Sequence, residues 1–167
     1  MIPVGHFCEN FQVAPCFVPI NLGAGANTGD WFDMTAYERI VFIVETGAGT
    51  AAQDAVLTLQ QATSNAGGGA KALTFTDIYE KTGADLHAIA DYTRTTQTAA
   101  ATFTTVGEDE SQTIIEFQRS DLDDGFSHVQ LSIPDTGAAA MIGMAIAMLY
   151  GPKTTTGDAT DLASAIA

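Results

Sequence analysis

Short stretches in which every second side chain is apolar recur along this chain and constrain its fold. Val129, Leu131 and Ile133 alternate with polar residues in the clearest of them. A period of two is typical of a β-strand with one buried face. The same reasoning predicts strands at 39–45, 56–61, 71–76, 112–118 and 141–150. The strand at 39–45 is apolar on both faces, which indicates a central position in a sheet.

The segment 141–150 carries bulky side chains on one face and small ones on the other. We expect a strand with the bulky face in the core, although a buried helix is a rival interpretation. The predicted core consists of Ile40, Val41, Phe42, Ile43, Val44, Leu57, Leu59, Leu73, Phe75, Ile115, Phe117, Val129, Leu131, Ile133, Ile142, Met144 and Ile146.

Turn residues separate the strands, for example the glycines at 67–69 and the sequence PDTG at 134–137. Six or seven short strands with such turns predict an all-β, mainly antiparallel single domain, a β-sandwich or a barrel. We expect this domain over 31–153, preceded by an extended N-terminal arm and loop at 1–30 and followed by a flexible tail at 154–167. Within the domain, 83–107 fits either a helical turn or threonine-rich strands and loops.

The N-terminal arm is the predicted partner-binding region. Its prolines lack the N–H group of a central strand, so the arm reads as an edge strand or as an extension that adds to a neighbour's sheet. We predict contacts with neighbours from Pro3, Val4, Phe7, Phe11, Val13, Pro15, Phe17, Pro19 and Trp31, with the C-terminal tail contributing. Trp31 has two interpretations, a partner anchor and a plug at the end of the sandwich.

The charge balance excludes some partners. The net charge is −14, from 6 basic and 20 acidic residues. Nucleic-acid affinity comes largely from basic side chains that displace counterions, so we expect no nucleic acid and no anionic membrane as partner. The longest apolar run, about 12 residues at 138–149, is shorter than the roughly 20 that a membrane helix needs. No signal peptide is visible, which predicts synthesis and folding in the cytoplasm.

No motif indicates a catalytic or cofactor site. The three histidines lie far apart, and His128 reads as a surface or rim residue before a strand. The sequence DLDDG at 121–125 departs from the spacing of an EF-hand loop and fits a solvated turn. We therefore predict no enzyme activity, no metal and no cofactor. Cys8 and Cys16 fit two thiols, with a disulfide as the alternative.

Four stretches of the chain resemble head decoration, or cement, proteins of tailed bacteriophages. They are TGDWFDMTAYERIVFIVETG, VLTLQQATSNAGGGAKALTF, FQRSDLDDGFSHVQLSI and MAIAMLYGPK. They cover about residues 28–82 and 113–153, whereas the N-terminal arm and 83–107 add nothing to the likeness.

The resemblance implies a virion protein that binds the outside of the capsid through the major capsid protein, often as a homotrimer, and stabilises the shell. One alternative is a tail-tube or minor tail subunit, which would form rings without a capsid. A second is a carbohydrate- or partner-binding sandwich, although only 8% of the residues are aromatic.

Overall fold

A computed structural model describes residues 7–153 and residue 166. Pro3 and Val4 of the predicted partner-binding set, and all of the predicted tail except Ile166, lie outside the described residues. The strands are β1 (Phe11–Asn21), β2 (Asn27–Thr28), β3 (Phe32–Asp33), β4 (Tyr37–Thr46), β5 (Val56–Ala62), β6 (Lys71–Ala72), β7 (Phe75–Gly83), β8 (Thr93–Ala100), β9 (Thr102–Thr104), β10 (Glu110–Gln118), β11 (His128–Ile133) and β12 (Ile142–Pro152). One turn of α-helix, α1 (Phe7–Asn10), precedes β1, and 3₁₀ turns lie at Leu22–Ala24, Leu86–Ala88 and Arg119–Asp121.

These strands form two antiparallel sheets. The first sheet has the order β1-β12-β4-β10-β7-β8, and the second has the order β2-β11-β5-β6, with β3 also pairing β11 and β9 also pairing β5. The two sheets pack over one hydrophobic core. The all-β, sandwich-like single domain predicted from the alternation is confirmed. Within the described residues, no helix has the length and apolar character needed to cross a membrane.

The core lies between the two sheets. Most of the predicted core side chains are buried there, and aromatic rings bridge neighbouring elements. Phe32 packs edge-on to Phe42 at 5.8 Å between ring centroids, and Phe75 packs edge-on to Phe117 at 6.0 Å. Edge-to-face contacts of this kind stabilise a particular arrangement of the rings, beyond the stabilisation that comes from burying their area.

The orientation predicted for the last strand is wrong. In β12 the small residues Ala145 and Ala147 are fully buried, whereas Met144 and Ile146 are half-buried on the opposite face and Ile142 is 55% exposed. The small face lies inward because larger neighbours fill the space next to it. A Cβ atom at Gly143, for example, would lie 2.5 Å from a methyl carbon of the buried Leu22. Ile43 on β4 is also half-buried, on the same side as Ile146.

Two further segments bear on the predicted strands: one differs from the prediction, and the other contains both of the forms that were left open. The strand predicted at 71–76 is interrupted at the buried Leu73, because the chain leaves the second sheet after β6 and enters the first sheet as β7. The ambiguous segment 83–107 contains both predicted forms. A 3₁₀ turn at Leu86–Ala88 is followed by the threonine-rich strand β8 and by β9, which crosses to the second sheet.

The described part of the N-terminal arm is built into the sandwich. β1 pairs along most of its length with β12 of its own chain, and β2 pairs with β11 in the second sheet. The position of β1 at the edge of the first sheet agrees with its prolines, because Pro15 and Pro19 have no N–H group for a second neighbour. The pairing of this edge strand with β12 shifts register on both sides of Phe17.

Candidate interaction surface

The side of the first sheet that faces away from the core carries a band of apolar side chains, and we call this side the outer face. At its centre, residues from five adjacent strands lie in cross-strand register, and we call this set the apolar row. It consists of Pro15, Ile146, Ile43, Ile114 and Tyr79. Antiparallel neighbours in register point to the same side of a sheet, so these side chains form one continuous strip.

A second strip beside the apolar row extends the band. Val13, Met148 and Val41 are in register across β1, β12 and β4. Val13 is 48% exposed and Tyr79 is 40% exposed, so large apolar groups on this face are open to water. Soluble proteins rarely leave contiguous apolar patches uncovered, and such patches mark interaction sites.

Aromatic rings and an ion pair close one end of the outer face. Phe7 stacks on Phe11 at 4.7 Å between centroids, and Phe11 contacts Tyr150 at 5.8 Å. The Tyr150 hydroxyl donates a hydrogen bond to Glu116, which also accepts one from Arg39 at 2.6 Å. Burial, followed by this hydrogen bond to the carboxylate, raises the pKa of Tyr150. These contacts order the aromatic side chains at the end of the strip.

The outer face is close to electrical neutrality. Three of the six basic residues of the chain, Arg39, Lys81 and Arg94, lie on it. Four carboxylates accompany them, from Glu45, Asp77, Glu110 and Glu116. The chain as a whole carries −14, so most of the negative charge lies elsewhere. A partner therefore meets little repulsion on this face.

Asp77 and Arg94 form the ion pair at the far side of the outer face. Their closest nitrogen–oxygen distance is 2.7 Å. The guanidinium of Arg94 is the main cause that lowers the pKa of the Asp77 carboxyl. Both side chains are largely exposed, so the pair orients β7 and β8 and adds little to stability.

A groove of about 510 Å³ lies at the opposite end of the outer face from the aromatic rings. Its apolar lining comes from Pro19 on β1, Ile142 and Met144 on β12, and Leu86 of the 3₁₀ turn. Its polar lining consists of Glu45, Thr46, Lys81, His87, Glu110 and Gln112. The groove joins the apolar band directly, since Met144 and Ile146 are on the same face of β12.

The structure places the described members of the predicted partner-binding set in four locations, of which the N-terminal residues occupy three. Phe11, Val13 and Pro15 lie on the outer face, and Phe7 stacks against Phe11. Pro19 lines the groove. Phe17 is partly buried and packs against the core.

Trp31 lies apart from the outer face. Its half-buried indole packs over the turn at Gly67, where a Cβ atom would lie 3.1 Å from the indole nitrogen. Gly67 also has a φ of +71°, a backbone conformation that favours glycine.

Sequence reasoning missed the larger part of the outer face, namely the residues of β12, β4 and β10. The available signal was that 39–45 and 141–150 are apolar at odd and even positions alike. In such a strand one apolar row faces the core. The other row faces water, unless another layer of the protein or a partner covers that side of the sheet.

Three of the acidic and histidine residues considered as ligands, Asp121, Asp123 and His128, have structural partners. Asp123 pairs with Lys71 at 2.5 Å, which lowers the pKa of the Asp123 carboxyl, and Asp121 accepts the backbone N–H of Gln118. His128 is buried, contrary to the prediction of a surface or rim position, and its Nδ1 atom lies 2.9 Å from the hydroxyl of Ser127. Within residues 7–153 and 166, no group of three or more His, Cys, Asp or Glu residues is placed to hold a metal ion.

Both cysteines are free thiols in this structure, Cys8 exposed and Cys16 buried. Burial, with a smaller contribution from Asp30, raises the pKa of Cys16 to about 12. Because the thiolate is the reactive form, Cys16 is expected to be inert in the folded protein.

Comparison with known proteins identifies no family. No protein-family model matches the chain, and no curated protein matches it. Among solved structures, the crystal structure of SPBc2 prophage-derived protein YomS is similar, with a TM-score of 0.47 and 9% sequence identity. The alignment covers 85% of this chain and 94% of that chain.

Proposed function

We propose that this protein is a structural component of a bacteriophage particle that binds the outer surface of the capsid and stabilises the shell. The observation that carries the proposal is the apolar outer face of the first sheet. Apolar side chains that are exposed or half-buried on five adjacent strands are costly for an isolated domain, and covering them against a partner removes that cost.

The four stretches that resemble decoration proteins support the proposal from the sequence. They contain β4 and β5, the connection from β10 to β11, and most of β12. Two of these strands, β4 and β12, supply the centre of the outer face. The likeness and the candidate surface therefore overlap at these two strands.

The size of the outer face suits a specific protein contact. Five strands about 4.8 Å apart and about ten residues long span roughly 24 Å by 30 Å, or about 700 Å². Stable protein interfaces bury about 800 Å² on each partner. The outer face is thus large enough to form most of one such interface.

The charge distribution suits a protein whose copies stay apart in solution until a capsid lattice presents the binding sites for them. A net charge of −14 keeps free copies apart, while the nearly neutral outer face remains available for contact. On a capsid the same site is repeated many times, so bound copies reinforce the shell even when each contact is modest.

The proposal is tested by mixing the purified protein with emptied capsids of the cognate phage and measuring how much stays in solution. We expect a small particle by light scattering before mixing, and saturable depletion by capsids afterwards. Rings or tubes that form without capsids would instead support a tail-tube subunit. A protein that neither assembles nor binds capsids would refute the proposal and favour the ligand-binding sandwich.

A further inference from the structure

The groove at the end of the outer face combines apolar side chains with carboxylates. Ile142 and Met144 line it from β12, and Pro19 and Leu86 line it from opposite sides. Glu45 and Glu110 come from the adjacent strands β4 and β10 and line the same groove. A volume of about 510 Å³ exceeds that of a single amino-acid side chain and suits a short stretch of peptide.

The two carboxylates are held by neutral donors. The side-chain amide of Gln112 donates to Glu45 at 2.5 Å, and the backbone N–H of Leu86 donates to Glu110 at 3.1 Å. Among the described residues, neither carboxylate forms an ion pair. Each is therefore fixed in position by a hydrogen bond from a neutral group.

The cationic groups that face the groove are Lys81 and, when protonated, His87. The ammonium group of Lys81 lies 4.5 Å from the centroid of the Tyr92 ring, so an aromatic face already stabilises it. With one lysine against two glutamates, the lining of the groove has more acidic than basic side chains by formal count.

We propose that the groove binds a lysine or arginine side chain within an apolar segment of the partner protein. This inference rests on the proposed function, because it specifies which chemistry the outer face recognises on its partner. The aliphatic stem of a basic side chain covers apolar surface while its head stays polar. In this groove the stem lies on Ile142 and Met144, and the head reaches Glu45 and Glu110.

Charge complementarity selects this occupant. An acidic groove next to an apolar strip disfavours an acidic or purely polar segment and favours a basic residue flanked by apolar ones. A second copy of this chain is a poor occupant, since it has only 6 basic residues and three of them already lie on its own outer face.

The probe is the peptide acetyl-Leu-Arg-Leu-amide, titrated into ¹⁵N-labelled full-length protein and followed by amide chemical shifts. We expect saturable shifts at Ile142, Met144 and Leu86. The neutral peptide acetyl-Leu-Gln-Leu-amide should bind about tenfold more weakly, because it lacks the charge-assisted hydrogen bonds.

A matched pair of variants tests the role of the carboxylate. Glu45→Gln keeps the shape and a hydrogen-bonding group but removes the charge, and it should weaken binding of the arginine peptide about tenfold. Glu38→Gln makes the same change at an exposed position of β4 outside the groove and should leave binding unchanged.

Three results would overturn the inference: no saturable shifts in the groove, equal binding of the two peptides, or unchanged binding by Glu45→Gln. The comparison of the two peptides uses wild-type protein, so it remains decisive even when a variant folds poorly. The titration contains no capsid. Peptide binding without capsid binding would therefore refute the proposed function alone, whereas capsid binding without peptide binding would refute the groove alone.

Discussion

The inward position of the small face of β12 leads to a prediction about a single substitution, Ala147→Leu. Ala147 is fully buried and lies in register between Ala14 on β1 and Phe42 on β4. Leucine adds three carbon atoms at this fully buried position, and overpacking of a core costs about 1–3 kcal/mol. In a domain of this size each kcal/mol lowers the melting temperature by about 2–4 °C.

The control for this prediction is Ile142→Ala on the other face of the same strand. Ile142 is 55% exposed, so we expect the loss of its outer carbons to cost less than about 1 kcal/mol. Urea unfolding followed by circular dichroism measures both free energies of unfolding. The reasoning would be refuted if Ala147→Leu left the free energy of unfolding unchanged and Ile142→Ala lowered it by about 2–5 kcal/mol. That result would place the bulky face of β12 in the core.

Two further predictions concern titratable groups. Glu80 is half-buried on the inner side of β7 beside Thr113, and one of its carboxyl oxygens has no hydrogen-bond partner among the described residues. Burial raises the pKa of Glu80 in the folded protein, so the folded state binds this proton more tightly than the unfolded state does. The stability that the bound proton contributes is complete below the unfolded-state pKa of Glu80 and is lost as the pH rises through its folded-state pKa. Glu80→Gln should therefore increase the free energy of unfolding at pH 7 but not near pH 4; an equal effect at both pH values would contradict this. For the cysteines, a maleimide reagent at pH 7 should label Cys8 in the folded protein and Cys16 only in denaturant, as read by mass spectrometry; rapid labelling of both without denaturant would show that Cys16 is not buried.

The sequence was a good guide to the strands of the core. Alternation correctly located buried apolar side chains in three strands, namely Leu57 and Leu59 of β5, Ile115 and Phe117 of β10, and Val129, Leu131 and Ile133 of β11. It failed at β12, where both rows are apolar. Local pattern does not say which of two apolar rows points inward, and the packing of Leu22 and Phe42 against the small face decides it.

The candidate surface was harder to predict because it depends on strand order. Pro15, Ile43 and Ile114 are separated by 28 and 71 residues, and only the pairing of β1, β12, β4 and β10 brings them into one row. The prolines did indicate an edge strand, so part of the N-terminal contribution to this surface was expected. The interruption at Leu73 had no signal in the sequence, since either side of it fits a strand.

The central claim is that the outer face of the first sheet binds the capsid, and a matched pair of valine substitutions tests it most directly. Val13 lies on the outer face and is 48% exposed, whereas Val106 lies in the connection before β10 and is 45% exposed. Both Val13→Asp and Val106→Asp should fold, because neither side chain is buried. The measurement is the dissociation constant of each variant for emptied capsids, obtained by co-sedimentation. We predict at least tenfold weaker binding for Val13→Asp, since an unpaired carboxylate would be desolvated in the contact, and wild-type binding for Val106→Asp. Wild-type binding by both variants, or an equal loss in both, would contradict the assignment of the outer face as the capsid-binding surface.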